Sequence, residues 1–257
     1  MTSVGSGSVN LLRATGEVLR PILDFIYPPR CPACGAAIGA QAGLCLECWH
    51  KLEVPNAPPD NDECGSVIAA TVYGELSRKL VLAFKHGAKI ALAPLLAQLI
   101  ASQLGTPQPS RLIIPVPLHP LRLWRRGYNQ SALLAVELQR LGHGRLIVDG
   151  LRRARHTPSL DRRSRAQRAQ LLEGAIKPNL RRLEQLRGAD ILLVDDVLTS
   201  GATTDACVSA LRAAGARRVT VACFTRVGSH GAANVVPRAM SETGETNARD
   251  LVIPGVA

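Results

Sequence analysis

The chain has 257 residues, 46% of them hydrophobic and 3% aromatic, which suits one sizeable domain with a small accessory module. Its net charge is +11, and residues 111–187 alone hold 17 Lys and Arg against 5 Asp and Glu. This regional excess favours a polyanionic ligand, with a solvated arginine-rich surface as the alternative. Neither a secretory signal nor an unbroken apolar stretch of membrane-spanning length is recognisable, so we expect a cytoplasmic protein without membrane insertion.

Two pairs of cysteines follow a predicted helix at residues 9–26. The pairs are Cys31 with Cys34 and Cys45 with Cys48, each in a Cys-x-x-Cys knuckle, with ten residues between the pairs. A connector of this length lets the second knuckle fold back and complete a tetrahedral set of four sulfurs, which predicts a closed, structural zinc site. Thiol exchange is the alternative, but two copies outside a strand-to-helix context favour zinc.

Strand and helix patterns alternate after a linker at residues 53–64 that is rich in Pro, Asn and Asp. The predicted strands are at residues 67–73, 111–117, 145–150, 190–196 and 217–224. The predicted helices are at residues 75–86, 89–104, 129–141, 164–172 and 202–214. Because such alternation implies right-handed crossovers, we predict an α/β domain with an open, mostly parallel sheet, whose ligands bind at the carboxyl ends of the strands.

The predicted organisation has five parts. They are an N-terminal helix at 1–27, a four-cysteine zinc module at 28–52, the linker at 53–64, the α/β domain at 65–227 and a disordered tail at 228–257. The tail is assigned from its lack of hydrophobic periodicity.

The segment at residues 191–204, ILLVDDVLTSGATT, carries the clearest functional pattern. Its apolar residues predict a buried strand, so Asp195 and Asp196 emerge at the carboxyl end, where a ligand is expected. The following loop opens a helix and offers backbone N–H groups and hydroxyls to a phosphate, through Thr199, Ser200, Gly201, Ala202 and Thr203. Ionised carboxylates accept hydrogen bonds from sugar hydroxyls, so the segment predicts a ribose 5-phosphate ligand. Consecutive strand residues point to opposite faces, so one acid is expected to face the ribose while the other holds the loop or a water around Mg²⁺.

Three other interpretations of this segment are weaker. A response-regulator receiver domain also has two acids after an apolar strand, but it needs a later phosphoacceptor Asp and then a Lys, and no such pair follows position 196. A nucleoside triphosphatase needs a Gly-x-x-x-x-Gly-Lys-Ser/Thr loop, which the sequence lacks. Helix capping by Thr199 or Ser200 would explain the hydroxyls but not the two acids.

Residues 191–203 resemble the phosphoribosyl pyrophosphate (PRPP) motif of type I phosphoribosyltransferases, and the chain as a whole resembles the ComF family over about residues 20–226. The wider resemblance depends on the four-cysteine module and on the segments VYGELSRKLVLAFKHGAK, IIPVPLHPLRLWRRGYNQSALLA, LLVDDVLTSGATT and LRAAGARRVTVACFTR. It implies a type I phosphoribosyltransferase fold with a zinc-ribbon-like module and with PRPP and Mg²⁺ as ligands. If the protein is an enzyme, the resemblance implies phosphoribosyl transfer to an unknown acceptor.

The resemblance also implies roles for individual residues. Asp195 and Asp196 correspond to the ribose-binding acids, and residues 199–203 to the 5-phosphate loop. The segment PVPLHPLRLWRRGYNQ lies where type I enzymes place their pyrophosphate loop. The candidate anion contacts carry guanidinium or ammonium groups, and they are Arg122, Arg125, Arg126 and Lys85. Asn129 and Gln130 either position this loop or a ligand, or cap the helix that follows.

Two leucines depart from the family pattern. Leu160 and Leu171 stand at the approximate positions where the family usually has Gln and Asn. This departure leaves open a second function, a protein that binds PRPP or a nucleotide without turnover. The ComF resemblance implies a link to natural competence, in which single-stranded DNA and DNA-uptake proteins would be the partners. Trp49, Trp124 and Tyr128 are the aromatic residues available for base stacking.

Overall fold

The computed structural model describes six ranges of the chain and divides it into two compact units. The described residues are 28–39, 43–55, 60–62, 65–86, 89–154 and 174–228. Of the described residues, those up to Trp49 belong to one unit, and those from His50 onward belong to the other. The predicted helices at 9–26 and 164–172, and the predicted tail beyond residue 228, lie outside the described residues.

The described part of the first unit forms a short hairpin and the start of a helix. In the hairpin Arg30 bridges Ala37 in the antiparallel sense, and the Gly35 N–H donates to the Cys31 carbonyl at 2.8 Å. Gly35 has a φ of 80°, a left-handed conformation that glycine adopts readily because it lacks a β-carbon. Helix α1 is Leu46–His50. Each cysteine pair therefore lies in one local turn, the first in the hairpin and the second at the start of α1.

The second unit is built on a six-stranded sheet with the strand order β1-β2-β8-β7-β3-β4. Its strands are β1 (Asp60–Asp62), β2 (Gly65–Val72), β3 (Leu112–Pro115), β4 (Arg145–Leu146), β7 (Asp190–Leu198) and β8 (Arg218–Arg226). Strand β1 pairs antiparallel with β2, whereas the other neighbours pair parallel. A separate antiparallel pair consists of β5 (Leu151–Arg153) and β6 (Ile176–Pro178). The predicted α/β class with a mostly parallel sheet is confirmed.

Helices cover both faces of this sheet. They are α2 (Glu75–His86), α3 (Ala93–Leu104), α4 (Pro120–Arg126), α5 (Gln130–Arg140), α6 (Leu183–Leu186) and α7 (Ala202–Ala213). Side chains of a strand alternate between faces, and Leu112, Ile191 and Leu193 pack in one buried cluster with Val208 and Leu211 of α7. The intervening residues of β3 and β7 face the side on which α5 contacts both strands. Because both faces are covered, the centre of β7 is an unbroken apolar run.

The structure departs from the predicted elements in several places, and β1 lies inside the predicted linker at 53–64. The predicted strand 145–150 is limited to β4, because the chain turns where the Gly150 N–H donates to the Ile147 carbonyl. Helix α4 was not predicted from the sequence, because none of its side chains is buried and no hydrophobic period marks it. Strands β7 and β8 each continue two residues further than predicted, and Asp195 pairs in register with Cys223. The first of the two acids is therefore held inside the sheet.

Candidate functional site

Two carboxylates lie at the carboxyl end of β7, and each has its own partners. Asp195 Oδ1 accepts hydrogen bonds from the Ser131 hydroxyl at 3.1 Å and from the Asp196 backbone N–H at 2.9 Å. Asp196 Oδ2 lies 3.0 Å from the Lys85 ammonium Nζ. Ser131 belongs to the first turn of α5 and Lys85 to the last turn of α2. Three distant segments of the chain thus meet at this edge of the sheet.

The two acids differ in their electrostatic surroundings. Burial, followed by the nearby charge of Asp196, raises the pKa of Asp195 to about 7, while Lys85 and the hydrogen bonds to Asp195 oppose the shift. Asp196 instead has a direct cationic partner. Within the described ranges no hydrogen bond joins the two carboxyl groups. Asp196 therefore has a cation beside one of its oxygens, whereas the surroundings of Asp195 raise its pKa.

The loop between β7 and α7 leads to a helix N-terminus whose first amides are open in the sense that, among the described residues, they have no backbone acceptor. Gly201 has a φ of 78° and is the N-cap of α7. The first backbone hydrogen bond of the helix runs from the Asp205 N–H to the Gly201 carbonyl at 2.8 Å. The N–H groups of Ala202, Thr203 and Thr204 precede it and, among the described residues, donate to no backbone carbonyl outside the helix. Such amides and the helix dipole together can bind an anion.

The side chains of the predicted phosphate loop are placed unequally. Thr199 is exposed, Ser200 and Thr203 are half-buried, and Ala202 is buried. Gly201 occupies the N-cap position, and no side-chain hydrogen bond caps the helix there. The N-cap of α7 is therefore neither Thr199 nor Ser200.

The predicted anion-binding arginines lie on α4, an exposed helix of seven residues. His119 caps the start of the helix, with its Nδ1 accepting a backbone N–H at 3.2 Å, and Gly127 ends it in a left-handed conformation. Arg125 is exposed, and Arg122 and Arg126 are half-buried. No described contact joins these arginines to the acids of β7. The structure thus leaves them as a separate cationic group.

The segment after α4 is fastened by side-chain hydrogen bonds. Asn129 Oδ1 accepts from the Ser131 N–H at 3.1 Å, and Asn129 Nδ2 donates to the Val116 carbonyl at 3.0 Å. Asn129 therefore caps α5 and also ties this segment to the end of β3. The Arg126 Nη1 donates to Gln130 Oε1 at 2.9 Å. Gln130 is buried and orients this arginine.

Ser131 is the site residue that the sequence did not reveal. It lies within the segment IIPVPLHPLRLWRRGYNQSALLA, but no role was predicted for it, and the available signal was its place in the first turn of a helix that follows the Asn129 cap. Lys85 is one of the predicted anion contacts. In the structure its ammonium is paired with Asp196.

The four predicted zinc ligands form one cluster in the first unit. The Sγ atoms of Cys31, Cys34, Cys45 and Cys48 all lie within 4.8 Å of one another, and those of Cys34 and Cys45 are 3.5 Å apart. A tetrahedral site with Zn–S bonds of about 2.3 Å places its sulfurs about 3.8 Å apart. The cluster therefore fits zinc, and four thiolates leave no open position for a catalytic water.

The thiols of this cluster differ in acidity. Burial by itself raises the pKa of Cys31, but hydrogen bonds from the backbone of Cys45, Cys34 and Ala33 outweigh it and bring the pKa to about 6. Burial and the neighbouring thiols raise the pKa of Cys48. Because zinc binds thiolates, metal binding to the cluster displaces protons.

Two family models match different parts of the chain. Residues 22–78 match the model of the double zinc ribbon domain, and residues 145–241 match that of the phosphoribosyl transferase domain. The first match and the four-cysteine cluster together support a structural zinc ion. Among the described residues, no helix combines the length and apolar character needed to cross a membrane.

Named relatives match over most of their length. The DNA utilization protein YhgH of Escherichia coli O6:H1 (strain CFT073) is 30% identical over 203 residues, which cover 76% of this chain and 83% of that protein. Competence protein F of Haemophilus influenzae is 29% identical over 202 residues, which cover 75% of this chain and 82% of that protein. The solved structure of TT1426 from Thermus thermophilus is 21% identical and covers 55% of this chain and 84% of that chain, with a TM-score of 0.29. The similarity to the relatives, together with the two domain matches, shows that this chain belongs to the ComF family.

Proposed function

We propose that the edge where β7 gives way to α7 binds the ribose 5-phosphate part of PRPP, and that the protein is phosphoribosyltransferase-like. The observation that carries the proposal is the short loop that joins Asp195 and Asp196 to the open amides of residues 202–204. Carboxylates accept hydrogen bonds from hydroxyls, and amides at a helix N-terminus bind dianions. Each half of a ribose phosphate therefore has a matching group.

The ligand groups follow from this match. The 5-phosphate lies against the first turn of α7, with the hydroxyls of Thr199, Ser200 and Thr203 beside it. Asp196, paired with Lys85, accepts a hydrogen bond from a ribose hydroxyl. Mg²⁺ takes oxygen ligands and keeps several of its waters, so a carboxylate of Asp195 or Asp196 suits one of those waters.

The proposed reaction class is phosphoribosyl transfer. The bond between the anomeric carbon and pyrophosphate breaks, and a bond from an acceptor to that carbon forms. Arg122, Arg125 and Arg126 are the proposed donors to the departing pyrophosphate. Bound Mg²⁺ would help to neutralise that leaving group. The match to the phosphoribosyl transferase family supports this class without identifying the acceptor.

Calorimetry with PRPP and Mg²⁺ tests the proposal. We expect the native chain to bind, and the double variant Asp195→Asn with Asp196→Asn to lose ~100-fold or more in affinity, because both carboxyl groups are removed. Asp190→Asn is the matched control, since Asp190 begins the same strand at its opposite end. The proposal fails if the native chain shows no binding. Pyrophosphate release on addition of a nitrogen acceptor would distinguish transfer from binding alone.

Helix α4 favours a second candidate function, the handling of single-stranded DNA without PRPP turnover. Trp124 is 82% exposed on this helix, next to Arg122, Arg125 and Arg126. Exposed aromatic rings stack on bases, and cationic side chains follow the backbone. The relatives are named for DNA utilization and competence. We therefore propose single-stranded DNA as a ligand of α4 and DNA-uptake proteins as partners.

Oligonucleotide binding at increasing salt tests this second candidate. Trp124→Ala should weaken binding by about 1–3 kcal/mol. Each Arg→Gln change on α4 should reduce the slope of log K against log salt concentration by ~0.7. Arg140→Gln is the control, because Arg140 is exposed on α5 and pairs with Glu137. Affinity that responds neither to salt nor to these changes on α4 would exclude the candidate.

The predicted division of the chain is also a proposal. It consists of the helix at 1–27, the zinc module at 28–52, the linker at 53–64, the phosphoribosyltransferase-like domain at 65–227 and the tail at 228–257. We place the protein in the cytoplasm, where reduced thiols remain available to zinc. Limited proteolysis should cut first in the linker and the tail, and cleavage inside residues 65–227 before either would contradict the division.

A further inference from the structure

Lys85 and Asp196 form the least exposed ion pair among the described residues. Their Nζ and Oδ2 atoms are 3.0 Å apart, and their side chains are 24% and 12% exposed. Each of the other described ion pairs includes a side chain that is more than a third exposed. Removing one partner of a buried pair leaves an uncompensated charge, which is strongly unfavourable. The pair is therefore part of the site and not a surface contact.

The backbone that carries Lys85 is itself held in place. The preceding residue, Phe84, is fully buried, and its carbonyl accepts a hydrogen bond from the Tyr128 hydroxyl at 2.5 Å. The rings of Phe84 and Tyr128 have centroids 6.4 Å apart, within the range of aromatic contacts. Lys85 therefore reaches Asp196 from a fixed helix end.

We propose that Lys85 is a positioning residue for the ribose-binding acids and does not contact the diphosphate of the ligand. This inference rests on the proposed binding of PRPP. A carboxylate has acceptor sites on both oxygens. Lys85 occupies Oδ2 of Asp196, and Oδ1 has no hydrogen-bond partner among the described residues. The pair thus fixes one oxygen of Asp196 and leaves the other for a ribose hydroxyl.

A direct phosphate contact, the role expected from the sequence, is less consistent with this geometry. To reach a phosphate, Lys85 would have to leave Asp196. The largely buried carboxylate of Asp196 would then have no cationic partner beside Asp195. The pKa of Asp195 is already raised by burial and by the Asp196 charge. The amides at the start of α7 offer a phosphate site that requires no such separation.

Two ligands separate these roles in calorimetry. Ribose 5-phosphate shares the hydroxyls and the 5-phosphate of PRPP but lacks its diphosphate. Lys85→Met should weaken the binding of both ligands by the same factor, ~10-fold or more. Lys85→Arg should restore most of the affinity for both, because a guanidinium also pairs with a carboxylate. Lys79→Met is the matched control, since Lys79 lies on the same helix in an exposed pair with Glu75.

The outcomes are distinct. If Lys85→Met weakens PRPP but not ribose 5-phosphate, Lys85 contacts the diphosphate and the inference is overturned. Unchanged affinity for both ligands also overturns it. If circular dichroism shows that Lys85→Met is unfolded, Lys85→Gln, which keeps a donor near Asp196, takes its place with the same expected pattern. If the native chain binds neither ligand, both the proposed function and this inference are wrong. That result comes from the native chain alone and involves no Lys85 variant.

Discussion

The four-cysteine cluster and the acid pair of β7 are assembled in opposite ways. The cysteines come within 4.8 Å of one another through two short turns that are close in the chain. The partners of the acids come from α2 and α5, and the contact of Ser131 with Asp195 spans 64 positions. The first site can therefore be recognised from residue spacing, whereas the second depends on the order of the strands and the packing of the helices.

This difference also determines what stabilises each site. A local cluster of thiols depends on its metal for most of its stability, because short turns bury little apolar surface. The acids are held by the sheet itself, since Ile191, Leu192, Leu193 and Val194 just before them are at most 1% exposed. The comparison predicts that ligand-residue changes unfold the first site and only tune the second.

The largest effect is expected at the cysteine cluster. Cys45→Ser should reduce the zinc content from about one ion per chain to near zero, because a structural zinc site contributes roughly 10–16 kcal/mol in small zinc modules. The measurement is metal analysis of protein purified without chelator. Cys207→Ala changes a buried cysteine of α7 and should leave the zinc content unaltered. Full zinc retention by Cys45→Ser would show that this thiol is not a ligand.

The next effect concerns Gly201, the local part of the acid site. Gly201 has a φ of 78°, and a β-carbon there would lie 3.4 Å from Asp205 Oδ2. Gly201→Val should weaken ribose 5-phosphate binding ~30-fold, about 2 kcal/mol, because valine disfavours the left-handed conformation. Gly201→Asn tolerates that conformation and should bind more like the native chain. Calorimetry is the measurement, and equal affinities for all three proteins would mean that the loop conformation does not matter.

Asp195 should make the stability of the second unit depend on pH. Burial, above all, raises its pKa to about 7. A carboxyl group with a raised folded-state pKa favours the folded chain at low pH, and this contribution is lost as the pH rises through 7. Between pH 5 and 8 the free energy of unfolding of the native chain should fall by about 1–2 kcal/mol relative to that of Asp195→Asn. The expected loss is moderate because the Asp195 side chain is not fully enclosed.

Denaturant unfolding at the two pH values measures this loss. Asp190→Asn, at the other end of β7, serves as the control and should follow the native chain. A constant difference between the native chain and Asp195→Asn over this range would mean that Asp195 does not titrate there.

The smallest expected effect is the loss of a single hydrogen bond. It is measured by comparing a long-range hydrogen bond with a local one. Ser131→Ala removes the hydroxyl that donates to Asp195 and should lower the free energy of unfolding by about 1 kcal/mol. The Ser102 hydroxyl donates to the Leu99 carbonyl of its own helix, so Ser102→Ala should have a smaller effect. Urea unfolding of both variants is the measurement. Equal losses would mean that the hydrogen bond from Ser131 to Asp195 stabilises the protein no more than the local hydrogen bond of Ser102.

The fold class and the metal cluster could be predicted because their signals are local. The apolar run before Asp195 marks a strand that is buried on both faces, and α2 has the predicted bounds, Glu75–His86, because its amphipathic period is regular. The two Cys-x-x-Cys knuckles fix which residues can share an ion.

The remaining features could not be predicted, because nothing near them in the chain encodes them. Helix α4 buries no side chain and so has no hydrophobic period. Ser131 and Lys85 approach the acids only after the sheet has formed. The raised pKa of Asp195 likewise depends on burial that the folded chain creates. Residue spacing thus identified the acids but not their partners.

The exposure of Trp124 gives the protein an optical probe. The chain has two tryptophans, and Trp124, on α4, is 82% exposed. An indole in contact with water emits at longer wavelengths than an enclosed one, and dissolved iodide, attracted by the neighbouring guanidinium groups, can quench it. In a Trp49→Phe protein all tryptophan emission would come from α4. The wavelength and intensity of that emission would then report on any molecule that covers this helix, without an attached dye.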